Sequence, residues 1–321
     1  MKKLKVGVVG VGHMGHYHVR IYSEIPSIEL VGIADVNEAL GRDLANKYET
    51  QYFGDYRRLF GKVDAVSIAV PTSMHYAVAK EFLENRIHVL LEKPMTIDLE
   101  EGRELIQIAA REKCILQIGH VERFNAAVQE LNNIVTEPLL IEAHRLGPFN
   151  KRTKDTGVIL DLMIHDIDIV LNLIDSNIKN MNVCGKSICS DYEDLVSVQM
   201  EFENGCIALL TASRLTENKI RSLAITQKDA YIFLDYAEQE IHIHRQASTK
   251  YWLTKEKFQY KQESFIERLF VHKDNPLKLQ LVHFIDCITN GTTPIFSGEE
   301  DLKALEVALH ILEKLKNGIK V

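Results

Sequence analysis

At 321 residues the chain is long for one hydrophobic core, so two domains are the expectation. Hydrophobic residues at 46% and charged residues at 26% are an ordinary globular balance. A net charge of −7, a pI near 6.0 and the lack of any lysine- or arginine-rich run give no reason to expect nucleic-acid binding, and no apolar stretch has the length of a membrane span.

The first strand is expected to begin by residue 4, so no signal peptide is expected. Cys114, Cys184, Cys189, Cys206 and Cys287 are scattered, with no CxxC and no pairing logic. Reduced thiols in a cytoplasmic protein are expected.

Val6, Val8 and Val9 form a β-branched run that reads as a buried strand, and it ends in Gly10-x-Gly12-x-x-Gly15. Helical spacing follows at Val19, Ile21 and Tyr22. Gly10 permits the tight turn out of the strand, and Gly12 has no Cβ to block a pyrophosphate. Gly15 lets the helix pack closely on the sheet, with the N–H groups of the turn that holds His13 and Met14 facing the phosphates. A second apolar run, Ile28 to Ala34, ends in Asp35, twenty residues after Gly15. That is where a dinucleotide fold places the carboxylate for the adenosine ribose. The carboxylate repels a 2′-phosphate, and Val36 and Asn37 supply no arginine to offset it, so NAD is favoured over NADP.

Strand and helix then alternate: helix Glu38–Tyr48, strand Gln51–Phe53, helix Asp55–Phe60, strand Val63–Val70, helix Met74–Glu84, strand Ile87–Leu91, helix Leu99–Lys113, strand Ile115–Ile118. Asp98 is placed to cap the fourth of these helices, with Glu101 three residues on. This alternation predicts an N-terminal Rossmann domain over 1–121, a doubly wound parallel sheet whose ligands lie at the carboxyl ends of its strands. Those ends carry Gly10–Gly15, Asp35, Pro71–His75, Glu92-Lys93-Pro94 and Gly119–Phe124.

From about residue 122 the pattern changes. Val158–Ile174 predicts one apolar helix, followed by strands near 181–189, 194–203, 205–214, 219–227, 230–235 and 239–246, with Glu203-Asn204-Gly205 as a hairpin turn. Helices are expected at Pro276–Thr289 and Glu299–Lys316. The second domain, 122–321, is therefore α+β with a mostly antiparallel open sheet. Apolar residues of both strand parities (Leu195, Val196, Val198; Ile207, Ala208, Leu209, Leu210) suggest a second apolar face, and with it a homodimer or homotetramer formed through the sheet.

Two constellations carry chemistry. Leu91-Glu92-Lys93-Pro94 puts two charges and a proline at the end of a buried strand, where Lys93 is able to donate to a substrate oxygen and stabilise a developing alkoxide. On the 158–174 helix, Asp161, His165, Asp168 and Asn172 recur at i, i+4, i+7 and i+11, one polar stripe on an otherwise apolar helix. His165 is the candidate base for a hydroxyl proton as hydride leaves the same carbon, with Asp161 to orient it or to bind a neighbouring hydroxyl. His13, His16 and His18 do not make a metal set, because His16 and His18 point to different helix faces and no cysteine or carboxylate completes the group.

The combination of the glycine loop, Pro71-Thr72-x-x-His75, Glu92-Lys93-Pro94 and Asp161-x-x-x-His165-Asp166 resembles the glucose–fructose oxidoreductase / inositol dehydrogenase / rhizopine catabolism (Gfo/Idh/MocA) family, over essentially the whole chain. The resemblance implies that Lys93, Asp161 and His165 act on a sugar or polyol carbon, and that Glu92, Pro71, Thr72 and His75 meet the nicotinamide half of the cofactor. Many members have paired glycines before the aspartate, where Thr156-Gly157-Val158 has one, which bears on the shape of the pocket floor. Gly119-His120-Val121-Glu122-Arg123-Phe124-Asn125 is similar to members that oxidise position 3 of UDP-N-acetylglucosamine. Arg123, with Arg145 and Arg152, then offers contacts to a nucleotide-sugar diphosphate; the other reading pairs Arg123 with Glu122 or another neighbour. A free-sugar or polyol dehydrogenase is the alternative enzyme. A dinucleotide- or sugar-sensing regulator without turnover is the alternative of another class, and its mark would be a broken motif; both motifs are intact here.

Overall fold

A computed structural model of the chain describes residues 3–149, 156–245, 250–254, 257–261 and 265–318, with side chains for all of these except 250–261 and 318. It forms two compact units, Met1–Phe124 with Asn275–Leu309, and Asn125–Asp274 with His310–Val321.

The first unit is built on six parallel strands, β1 (Leu4–Val9), β2 (Ile28–Ala34), β3 (Gln51–Phe53), β4 (Ala65–Ile68), β5 (His88–Glu92) and β6 (Leu116–Gly119), in the order β3-β2-β1-β4-β5-β6. The helices α1 (His13–Glu24), α2 (Glu38–Lys47), α3 (His75–Glu84) and α4 (Leu99–Glu112) alternate with them. With helices between successive strands, β1, β4 and β5 need apolar side chains on both faces, and Val6, Val8, Val66, Ile68, Leu90 and Leu91 are all buried. The strand order reverses between β1 and β4, the switch point at which doubly wound sheets bind their ligands. Local capping follows the sequence: Asn37 accepts from Leu40 N–H, and Asp98 from Glu100 and Glu101 N–H. The segment expected as a helix over Asp55–Phe60 is a single 3₁₀ turn, Tyr56–Leu59.

The second unit begins with α5 (Ala126–Ile134) and β7 (Pro138–Leu146). The segment expected as one helix over 158–174 opens with a π-helical turn, Ile159–Met163, before α6 (Ile164–Leu173). Then come β8 (Ile178–Lys186), β9 (Leu195–Phe202), β10 (Ile207–Ser213), β11 (Ile220–Gln227), β12 (Ala230–Asp235), β13 (Glu240–Arg245), the hairpin β14 (Lys250–Thr254) and β15 (Lys257–Lys261), and β16 (Phe265–Leu269). The eight-stranded sheet runs β16-β13-β12-β11-β7-β10-β9-β8 and is antiparallel except where β7 and β10 pair in parallel. Neither α5 nor β7 is expected from the sequence. The inward face of β7 carries Ile141, Ala143 and Arg145, and an arginine there breaks the apolar alternation by which a strand is recognised.

The two late helices are α7 (Pro276–Asn290), capped by Asn275, and α8 (Gly298–Gly318). A single cut after 121 assigns both to the second domain, but Leu277, Leu281, Phe284 and Ile285 of α7 join the core of Val19, Tyr22, Ile33 and Leu44 in the first unit. The chain therefore returns to its first unit after 274. An apolar helical stripe records that a face is buried, not which sheet buries it.

Alternation in the second sheet also differs from the expectation. Val196, Val198, Ala208 and Leu210 are buried on the inner face. The outer face is mixed: Ile207, Leu209, Leu140, Tyr231 and Phe233 stand among Gln199, Glu142 and Thr226 in the cross-strand rows.

Candidate active site

The first unit holds the glycine loop. Gly10 has φ +82°, and a Cβ on it would lie 2.6 Å from the Ala69 carbonyl oxygen. A Cβ on Gly15 would lie 1.8 Å from the Gly10 oxygen, so Gly10 is required by the close approach of the chain after β4 and Gly15 by that of helix to strand. Gly12 is different: nothing lies within 4 Å of the Cβ position. It is the N-cap of α1 and offers no side-chain acceptor, so the first N–H groups of the helix are left for an anion. Asp35 closes the loop from the end of β2, its Oδ2 accepting from Val11 N–H at 2.7 Å and its Oδ1 from Asn37 N–H at 2.7 Å. An open glycine, an uncapped helix N-terminus and a carboxylate tied to the same turn fit the pyrophosphate and ribose of a dinucleotide.

Glu92 ends β5, followed by half-buried Lys93 and a cis Lys93–Pro94 peptide. Glu92 Oε1 lies 3.0 Å from His18 Nε2 of α1. Pro71 and Thr72 follow β4 at the surface, whereas His75 is buried. Its Nδ1 lies 2.8 Å from the Pro94 oxygen and its Nε2 3.0 Å from the Val70 oxygen. His75 thus ties the segment after β4 to the segment after β5 through backbone. Both nitrogens face acceptors, and a neutral imidazole donates only one bond. Burial nevertheless pushes its pKa down, against the upward pull of the Pro94 and Val70 carbonyls.

In the second unit, half-buried Asp161 lies on the π turn and buried His165 at the start of α6. The widened turn removes the regular 3.6-residue spacing on which a continuous stripe depends. Asp168 is buried and Asn172 exposed, so the four polar residues do not share one wet face. Asp166 is the residue the stripe passes over. It is buried and takes a two-pronged bond from Arg145 of β7, Nε to Oδ2 and Nη2 to Oδ1, both at 2.9 Å, with the Tyr236 ring under the guanidinium at 4.9 Å.

The start of the π turn is built around Glu193. Its backbone oxygen accepts from Val158 N–H at 3.0 Å, and its Oε1 from Ile159 N–H at 3.1 Å. A Cβ on Gly157 would lie 2.0 Å from the Glu193 carboxyl carbon. The single glycine of Thr156-Gly157-Val158 is therefore the space this carboxyl group fills. Burial pushes the Glu193 pKa up, partly offset by its backbone hydrogen bonds. Burial also acts to raise Asp194, but N–H groups of Ile188 and Cys189, the Arg214 guanidinium and Ser190 overcome it and hold the carboxyl well below the usual range. Arg214 in turn donates to the Thr156 oxygen at 3.1 Å, which fixes the chain just ahead of Gly157.

The arginines expected to meet a diphosphate have other partners. Arg123 is buried, 2.8 Å from Asp301, with the Phe296 ring under its guanidinium at 4.2 Å. Arg145 is held by Asp166, and Arg152 lies outside the described residues. Pairing with a neighbour, the other reading of Arg123, is what the structure has, though the partner is distant in sequence. Sequence reasoning missed Glu193 and Asp194 and named His18 and Asp166 without giving them a role. Only the lone glycine at 157 hinted at one of them. Among the described residues no group of three or more His, Cys, Asp or Glu side chains is gathered to hold a metal ion, and no helix is long and apolar enough to cross a membrane.

The chain matches two family models: the oxidoreductase family with an NAD-binding Rossmann fold over residues 4–120, and the GFO/IDH/MocA C-terminal domain over 117–232. It is 37% identical over 251 residues to UDP-N-acetylglucosamine 3-dehydrogenase of Acidithiobacillus ferrooxidans, covering 78% of this chain and 80% of that one. A solved structure of that organism's UDP-N-acetylglucosamine 3-dehydrogenase superposes with a TM-score of 0.88 at 31% identity, covering 99% of both chains. The scyllo-inositol 2-dehydrogenase (NAD(+)) of Bacillus subtilis is 24% identical over 346 residues, with 99% of this chain and 96% of that one aligned.

Two outcomes follow from this geometry. Arg145→Met removes the two-pronged bond to buried Asp166 and should cost about 3–5 kcal/mol, read as a shift in the urea midpoint; adding Asp166→Leu should restore most of it. His75 has a folded pKa below its unfolded value of about 6.5, so its contribution is present above that pH and is lost as pH falls through it, because the unfolded chain then binds the extra proton. Between pH 7.5 and 5.5 the urea midpoint of wild type should therefore fall by more than that of His75→Gln.

Proposed function

The chain belongs to the GFO/IDH/MocA family of NAD-dependent oxidoreductases, and on that premise we propose that it oxidises a secondary alcohol of a nucleotide sugar, in the sharpest form position 3 of UDP-N-acetylglucosamine. The observation that carries this reading is the 37% identity to UDP-N-acetylglucosamine 3-dehydrogenase. Gly10, Gly12, His13, Met14 and Gly15 hold the pyrophosphate, Asp35 the adenosine ribose, and Pro71, Thr72 and Glu92 the nicotinamide half; His75 serves that half by fixing the backbone around it. NAD supplies a hydride acceptor. Lys93 donates to the reacting oxygen, and His165 takes the hydroxyl proton as the carbon–hydrogen bond breaks, with Asp161 orienting the imidazole or a neighbouring hydroxyl.

One observation favours the second enzymatic reading, a free-sugar or polyol dehydrogenase of the inositol type. Arg123 and Arg145 are each committed to a buried carboxylate, which takes from the diphosphate two of the cations expected to bind it. The sensor reading loses ground because the glycine loop, the Glu92-Lys93-Pro94 turn and the Asp161/His165 pair are all intact. The five free cysteines suit a cytoplasmic enzyme. The apolar side chains on the outer face of the eight-stranded sheet, Ile207, Leu209, Leu140 and Tyr231 among them, support a homodimer or homotetramer through that face.

Absorbance at 340 nm with NAD and UDP-N-acetylglucosamine, UDP-glucose, glucose or inositol tests the function. NADH should form with the nucleotide sugar at a KM well below that of the free sugar, and kcat should fall by about 10²–10⁴ in His165→Ala and Lys93→Ala. Equal use of free and nucleotide sugars would sink the nucleotide-sugar reading. Light scattering should give a dimer or tetramer mass that Leu209→Asp lowers; a monomer mass across a wide concentration range would refute assembly through the sheet.

A further inference from the structure

His18 has no place in the scheme above. It is a fully buried residue of α1, at 0% exposure, and its Nε2 lies 3.0 Å from Oε1 of Glu92, itself 7% exposed. Neither atom makes an aligned hydrogen bond, to the other or to any further group, and at 3.0 Å each is the other's polar company. The imidazole is held from its own helix by the edge of the Tyr22 ring, centroids 6.4 Å apart at 86°, and the Tyr22 hydroxyl is fixed to Ser67 Oγ of β4 at 2.7 Å. On the other side, Glu92 is confined by Gly119 of β6, where a Cβ would lie 2.9 Å from Oε1 and 3.1 Å from the Glu92 Cα. The carboxylate thus has β6 backbone on one flank and His18 on the other. A carboxylate oxygen accepts and an imidazole N–H donates, so the two groups are matched as acceptor and donor.

We propose that His18 is a positioning residue, holding the Glu92 carboxylate at the end of β5 in the orientation from which it meets the nicotinamide half of NAD. The inference rests on the reading that Glu92 contacts that half. Burying a carboxylate without a partner costs several kcal/mol, and an unfixed one would have to be ordered each time cofactor arrives. His18 removes that cost in advance. A helix that presents its N-terminus to the pyrophosphate thereby also orients a group at the far end of the dinucleotide.

The test combines NADH binding, followed by the cofactor's own fluorescence, with steady-state kinetics of the full chain. Gln at 18 places an amide N–H where Nε2 is, Asn places it a bond short, and Phe supplies none. His18→Phe and Glu92→Gln should each weaken NADH binding and lower kcat/KM for NAD by about 10- to 100-fold, and His18→Gln should stay within about threefold of wild type. The double variant should be no worse than Glu92→Gln alone, because two residues that act as one unit are not additive. The KM of the sugar should not move. Should His18→Phe not fold, His18→Gln against His18→Asn makes the same comparison. Wild-type binding in His18→Phe, equal behaviour of the Gln and Asn variants, or losses that multiply in the double variant would each overturn the proposal. Wild-type NADH binding in Glu92→Gln would remove the role of Glu92 itself, and this inference with it; a defect in Glu92→Gln with His18 variants intact removes only the inference.

Discussion

A carboxylate taken out of water must be met by a cation or by several N–H donors, and this requirement organises the polar interior of the chain. Glu92 is met by His18, Asp301 by Arg123, Asp166 by Arg145, and Asp194 by Arg214 with three backbone N–H groups. Each pair ties together segments distant in sequence. His18 reaches from α1 to the turn after β5. Arg145 reaches from β7 to the first turn of α6. Arg214, beyond β10, reaches the chain ahead of Gly157. On the proposed function, motif residues that act on a ligand would be held in place by such neighbours.

What the sequence makes legible follows from which forces are local. The β-branched runs, the glycine loop and Asp35 are fixed by steric rules that act within a few residues, and the runs do form strands of one parallel sheet. Caps at Asn37, Asp98 and Asn275 are equally local. The home of α7 is not, because its stripe of Leu277, Leu281, Phe284 and Ile285 satisfies any apolar surface. Strand β7 escapes notice for the opposite reason. Its Arg145 is neutralised by a residue 21 positions away on a different element, so the sequence displays a cation where the fold has a buried ion pair.

The same distinction governs the candidate site. Asp161 and His165 are recognisable by spacing, but the π turn that carries the first of them is set by Glu193, which binds the Ile159 N–H and occupies the space over Gly157. Gly157 is the position at which a side chain and a buried carboxyl group would claim the same volume. A glycine of this kind is demanded by a partner 36 residues further along the chain, and no local rule announces it.

Arg123 and Arg145 also separate the chemistry of this fold from its choice of substrate. A guanidinium bound to a buried carboxylate and stacked on an aromatic ring is stabilised where it is, and moving it to a diphosphate would break its ion pair with Asp301 or Asp166. Neither arginine is therefore a cheap anion receptor. On the proposed function, the residues legible as motifs, Glu92, Lys93, Asp161 and His165, would address a carbinol and its hydride acceptor, groups common to sugars, polyols and nucleotide sugars alike. Relatives that share the fold and act on UDP-N-acetylglucosamine or on scyllo-inositol are then what such a division produces: a reaction centre set by a few polar side chains at strand and helix ends, and a specificity set by whatever cations and donors the buried pairs leave over.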